Sequence, residues 1–229
     1  MFALNGAHYT GVDLTEAALE ASRKHFAVMG LTGTFQKENA ERLSFPDASF
    51  DWIFSHGVLH HTPDTQAAIN EVYRVLKPDG CATIMLYHKH SFNYFVRIMG
   101  YMRLRVLLKI VSRAGHWNRD REKASTGSLR GVRGNRDRRV WDIHYQNFLG
   151  RGWSYLWARN FVHHCTDGPE CPVAYAFTKA DAQRLFSRFR DVQTTVAHFP
   201  LRRYHKIPFG VEKILARKMG WYLFIFARK

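Results

Sequence analysis

An alternation of strand-like and helix-like stretches between residues 9 and 87 constrains this chain more than anything else in it. Residues 9–12, Tyr-Thr-Gly-Val, are strand-like. Residues 15–29 read as a helix, with Ala17, Leu19 and Ala21 among its formers and Gly30 as its stop. Residues 34–37 make a short strand. Residues 50–54, Phe-Asp-Trp-Ile-Phe, make a stronger one, apolar nearly throughout as a strand buried on both faces should be. In residues 65–76, Ala68, Ile69, Val72, Tyr73 and Leu76 recur at helical spacing before Pro78 and Gly80 end the pattern, and residues 81–87 form another apolar strand. Strands separated by helices pair in parallel and are covered on both faces. The expected fold class is therefore α/β, a Rossmann-like doubly wound, mostly parallel sheet.

From residue 88 to residue 170 the rhythm breaks. Residues 92–112 predict a basic amphipathic helix, with Ile98, Met102, Leu107, Leu108, Ile110 and Val111 set against Arg103, Arg105 and Lys109. Residues 113–139, rich in Arg, Gly, Ser and Asn, read as a mobile loop, and residues 145–164 hold aromatics and a second helix. Asp167-Gly168-Pro169 reads as a turn back to the core. Thr178 suits the N-cap of a helix reaching Phe189, and residues 192–198 and 221–227 read as strands. The expected division is a core of residues 1–90 and 172–229, with residues 91–171 as a mainly helical, basic and aromatic-rich insertion or lid after the strand ending at Tyr87.

Charge follows the same division. Of the formal +15, residues 97–139 carry a net +10, whereas residues 1–90 are near balance. The basicity belongs to the insertion and does not by itself argue for nucleic acid. No apolar run approaches the roughly 18–20 residues a spanning helix needs. The N-terminus has no basic start followed by an apolar stretch, and Cys81, Cys165 and Cys171 are too scattered for a disulfide framework, so the expected location is cytoplasmic.

The alternating region also carries the chemistry. Asp13 ends the first strand where a helix opens at once, a place where nucleotide-binding α/β folds hold a ribose. Residues 38–80, ENAERLSFPDASFDWIFSHGVLHHTPDTQAAINEVYRVLKPDG, resemble the class I S-adenosylmethionine-dependent methyltransferases of the small-molecule, type 11-like kind, and YTGVDLTEAAL resembles that family's second strand. The resemblance implies S-adenosyl-L-methionine as cofactor and a small-molecule methyl acceptor. It implies cofactor contacts from Asp13 and Leu14 at the ribose, from Asn39, Ala40 and Glu41 beside the adenine, and from Ser55, His56 and Gly57 near the methionine part. Asn39 stands where the family usually has Asp, so its contact is a neutral one, or it merely turns the chain. His60 and His61 either act as a base, touch a ligand or serve structure; Tyr87 and His88 are further options at the same edge.

The same resemblance predicts a first strand and a glycine-rich turn before residue 1, so the chain is expected to be N-terminally truncated. The sheet would then hold a gap that strands about 4.8 Å apart cannot bridge, and cofactor binding should be weak or absent. Trp117, Trp141, Tyr145, Trp153, Tyr155 and Trp157 either line an acceptor pocket or pack the insertion. His163, His164, Cys165 and Cys171 fit no standard zinc spacing, and no metal is expected. Two rival readings stand. One is a peripheral membrane protein docking through residues 92–112 and acting on a lipid-like acceptor. The other is a non-catalytic nucleic-acid binder using Arg130, Arg133, Arg136, Arg138 and Arg139, ranked last because no RNA-binding motif accompanies them. Nothing in the sequence sets an oligomeric state.

Overall fold

The computed structural model describes residues 2–125, 136–200 and 208–229, with only the backbone of residues 123–125 and 136–139. Arg130 and Arg133 of the nucleic-acid reading lie outside the described residues, as do the side chains of Arg136, Arg138 and Arg139.

Strand β1 (Thr10–Asp13) pairs in parallel with β2 (Thr34–Lys37), and α1 (Glu16–Val28) crosses between them. Tyr9, Phe26 and Phe35 pack their rings together under this crossover, with centroids 4.9–5.9 Å apart. A second sheet has the order β3 (Phe50–His56), β4 (Leu76–His88), β7 (Tyr222–Arg228) and β6 (Arg190–Ala197), with the short β5 (Ala176–Phe177) beside the end of β4. β3, β4 and β5 run parallel, and β7 is antiparallel to both its neighbours. Among the described residues no strand pairs with the free edge of β1 or of β3, so the sheet is in two parts.

Two cores lie on the two faces of the larger sheet, and the period-2 alternation of β4 divides them. Ile84 and Leu86 face α2 (Thr65–Val75) and α7 (Lys179–Leu185), meeting Ile69, Val72, Ala182, Phe186, Leu223 and Ile225. α2 reaches this core because Ala68, Ile69, Val72 and Val75 recur on one face, and its N-cap Asp64 accepts from the Ala67 amide at 2.9 Å. At α7 Thr178 and Asp181 form a reciprocal capping box. On the other face, Met85 and Tyr87 meet the insertion. A π-helical stretch (Asn93–Met102) runs on into α3 (Arg103–Ser112), and Ile98, Met102, Val106 and Ile110 pack with Phe148, Tyr155 and Phe161.

Residues 113–139 differ from the loop expected of them. α4 (Trp117–Ser125) lies inside the segment and α5 (Arg136–Arg151) begins in it. The cause is polar: Asp120, 2% exposed, accepts two 2.8 Å bonds from the Arg113 guanidinium and one from the Tyr145 hydroxyl. A charge-assisted fork of this kind fixes a helix that has no apolar period. α6 (Ala158–Phe161) and flanking short helical turns complete the insertion, and α8 (Phe209–Met219), which the sequence pattern did not suggest, precedes β7. Strand β3 is also less buried than its composition implies, with Trp52 and Phe54 52% and 50% exposed. Among the described residues no helix is long and apolar enough to cross a membrane.

Candidate active site

The tips of β1 and β3 are linked by hydrogen bonds. Asp13 closes β1, and its carbonyl accepts from the Glu38 amide at 3.0 Å, which fastens the turn after β2. In that turn Asn39 Oδ1 accepts from the Glu41 amide (3.0 Å), and Glu41 Oε1 accepts from the Asp64 amide (2.6 Å) at the end of the loop after β3. Asp13, Asn39–Glu41 and the β3 loop therefore share one edge. The Asp13 carboxylate uses Oδ1 for the amide and hydroxyl of Thr15, both at 2.8 Å, and Oδ2 has no protein partner among the described residues. An open carboxylate oxygen at a strand tip fits one hydroxyl of a ribose.

The remaining cofactor candidates spread along that edge. Leu14 is exposed, whereas Ala40 packs against the α2-side core. Gly57 has φ +77°, a conformation that side chains rarely adopt, and it turns the chain sharply beside Met85. His56 is exposed, its ring 5.5 Å from Tyr222 and 5.8 Å from Phe224. The Ser55 hydroxyl is buried without a protein partner. Asn39 is held as a turn former, its side-chain carbonyl committed to Glu41.

Beyond Gly57 the loop builds a second cluster against the insertion. His61 donates from Nδ1 to the Val173 carbonyl (2.7 Å) and faces Asp167 Oδ2 through Nε2 (3.2 Å). Tyr87 donates to the same carboxylate at 3.0 Å and stacks on Trp221 at 4.4 Å. With both ring nitrogens directed at acceptors, His61 favours the imidazolium: its hydrogen bond to Asp167 raises its pKa above the ordinary 6.5, against a smaller loss from burial. The same bond takes Asp167 down to about 2. His60 differs. Its ring is fully buried, lies 3.8 Å from that of Tyr87, and neither nitrogen meets a partner at hydrogen-bond geometry among the described residues. Burial, and then the charge of His61, push it down to about 3, so His60 is neutral at physiological pH. His88 is buried too, bonded through Nδ1 to the Gly220 carbonyl at 3.0 Å.

His61, Asp167 and Cys171 bring donor atoms within 4.8 Å of one another. Both His61 nitrogens are already engaged and burial raises the Cys171 pKa, so the ion pair accounts for the cluster. His163 and His164 turn elsewhere, to Ala174 and to Arg151. Sequence reasoning missed Asp167, the partner that defines His61; its only signal was the Asp-Gly-Pro turn. Of the aromatics, Tyr145 and Tyr155 are buried in the insertion core, Trp117 and Trp141 pack against it, and Trp153 and Trp157 face solvent.

Residues 1–84 match the family described as a methyltransferase domain. Over that stretch the chain is similar to the S-adenosylmethionine-dependent methyltransferases. An uncharacterised protein of Mycobacterium tuberculosis is 35% identical over 101 residues, 44% of this chain and 36% of that protein. A ubiquinone biosynthesis O-methyltransferase of Pseudomonas putida is 31% identical over 116 residues, 50% of this chain and 48% of the relative. The matched stretch thus spans about half the length of these curated relatives or less. In fold, an S-adenosylmethionine-dependent methyltransferase of Methanosarcina mazei covers all of this chain and 84% of its own at 17% identity and a TM-score of 0.55. One from Mesorhizobium loti covers 99% and 82% at 16% identity and a TM-score of 0.51. The methyltransferase fold extends through β6 and β7, beyond the 1–84 family match.

Proposed function

We propose that this chain transfers a methyl group from S-adenosylmethionine to a hydroxyl-bearing small molecule, bound where the β3 loop meets the insertion. The observation that carries the reading is the hydrogen-bonded edge from Asp13 through Asn39–Glu41 to Asp64. Asp13 would hold the ribose through Oδ2, the 39–41 turn would lie by the adenine, and Ser55, His56 and Gly57 would lie by the methionine part. When bound, the cofactor supplies the electrophilic methyl group. What the chain adds is alignment and a place for the acceptor's proton.

That place is His61. Its ring is held at Nδ1 by the Val173 carbonyl; with Nε2 unprotonated, that nitrogen would take the proton of an acceptor hydroxyl placed beside Asp167, and the imidazolium so formed is stabilised by the carboxylate. His60 is the floor under Tyr87 and acts as a positioning residue. An oxygen acceptor fits a base with a raised pKa, and it agrees with the O-methyltransferase name of the Pseudomonas relative. The free cysteines suit a reducing, cytoplasmic setting.

The test is transfer of labelled methyl to a panel of phenols and amines, with the cofactor at about 1 mM. A base at His61 makes the rate rise with pH through an inflection above 6.5, its ordinary pKa, and Asp167→Asn moves that inflection down. Transfer only to amines, or a profile unmoved in Asp167→Asn, would refute the assignment.

A further inference from the structure

Helix α3 is apolar on two opposite sides, and only one of them is used. Met102, Val106 and Ile110, continuing Ile98, form the stripe buried against the insertion core. Leu104, Leu107, Leu108 and Val111 follow the i, i+3, i+4, i+7 spacing of a second stripe, and all four are exposed, Val111 at 71%. Trp153 and Trp157 stand beside this stripe, 65% and 53% exposed. With Met99, Arg103 and Leu104 they line a surface hollow of ≈ 480 Å³. A solvated helix does not ordinarily gather four aliphatics and two indoles on its outer side.

The charges around the stripe point to what covers it. Residues 93–119 contain six Arg or Lys and no Asp or Glu. Lys109 and Arg113 are spent on Asp142 and Asp120. Arg97, Arg103, Arg105 and Arg159 have no carboxylate partner among the described residues. Arg103 lines the hollow, Arg105 lies 4.9 Å over the Trp141 ring, and Arg159 lies 5.0 Å over the Trp157 ring. Guanidinium groups beside exposed indoles and leucines match an interface where an apolar layer lies under a layer of phosphates. A protein partner would have to supply acids at several separate points, whereas an anionic bilayer supplies phosphate everywhere.

We propose that the outer stripe of α3, with Trp153 and Trp157, is a docking surface for an anionic phospholipid bilayer, which α3 meets lying in the plane of the headgroups. The inference is independent of the methyl-transfer reading, since none of these residues belongs to the β1–β3 edge or to the His61 cluster. It also differs from the sequence-level amphipathic pattern: of the residues counted there as one apolar face, Ile98, Met102 and Ile110 are buried, and only Leu107, Leu108 and Val111 face outward.

The test is flotation of the full chain with vesicles of phosphatidylcholine alone, and with about 30% phosphatidylglycerol, at low and high salt. Two double variants, Leu108→Glu with Val111→Glu and Trp153→Ser with Trp157→Ser, replace only exposed side chains; circular dichroism and thermal melting confirm that they fold. The expected result is flotation with the anionic vesicles, weakened by salt, and a loss of about tenfold or more in each double variant. Absence of flotation, equal flotation on neutral vesicles, or equal flotation by the variants would overturn the proposal. So would light scattering that shows a dimer broken by the same substitutions while vesicles are not bound, because the stripe would then join two copies of the chain.

Discussion

The β1–β2 pair and the larger sheet obey the same strand–helix logic but end in different physical states. β4 and β7 are hydrogen-bonded on both edges; β4 is buried from Ala82 to His88, and β7 buries Leu223, Ile225 and Ala227 while Phe226 stays 43% exposed. β1 has one partner and one crossover helix, and α1 buries a single residue, Leu19. β3 sits between these extremes: Ile53 is packed against the α2-side core while Trp52 and Phe54 stay half exposed, touched by Phe2 with ring centroids 4.7 and 5.5 Å away. The contrast teaches that apolar composition does not bury a strand. A second paired edge and a covering element do.

The contrast has measurable consequences. The largest concerns hydrogen exchange. Amides of β4 and β7 are expected to exchange only through global unfolding, and those of β1 and β2 through local opening, faster by about tenfold or more. Equal protection in the two parts would dissolve the distinction. Next, Leu223→Ala removes a fully buried side chain between two paired strands and should cost about 3 kcal/mol in urea denaturation. Phe54→Ser, on the open face, should stay within about 1 kcal/mol.

A third outcome concerns pH. His60 is held near 3 in the folded chain against its ordinary 6.5, so the folded state binds fewer protons and stability falls as pH drops from 6.5 toward 3. His60→Phe removes that term and keeps the ring contact with Tyr87, so its stability should decline less across this window, by about 1.4 kcal/mol for each pKa unit relieved. His61 adds the opposite dependence, and Asp167 one of the same sign as His60 at lower pH. His61's contribution is complete below 6.5 and is lost as pH rises through its raised folded value, and Asp167's is lost as pH falls through about 2. The smallest effect lies at two helix starts. Thr178→Ala removes a capping box and should cost about 1 kcal/mol, whereas Thr15→Ala, whose hydroxyl serves Asp13 and not the helix, should cost less than about 0.5.

The same contrast marks what the sequence could say. The elements between residues 10 and 88 were legible because their signals are local: an apolar period, an N-cap, a Gly or Pro stop. Thr178 was legible for that reason. α4 was not, since Trp117–Ser125 has no apolar stripe and is fastened by Asp120, a buried acid whose partner lies seven residues upstream. Asp167 was not, because it meets His61 only when the insertion folds back on the sheet edge. The exposure of Trp52 and Phe54 was hidden for a third reason. A strand's own residues do not record which of its edges is paired.

The central claim is that Asp13 and the β3 loop face one adenosyl ligand, and calorimetry with S-adenosylhomocysteine tests it most directly. The full chain is expected to bind with a dissociation constant of roughly 0.1–1 mM, and Asp13→Ala, which leaves the folded state intact by circular dichroism, is expected to abolish the heat. Binding that is unchanged in Asp13→Ala, or no binding at millimolar ligand, would contradict the account.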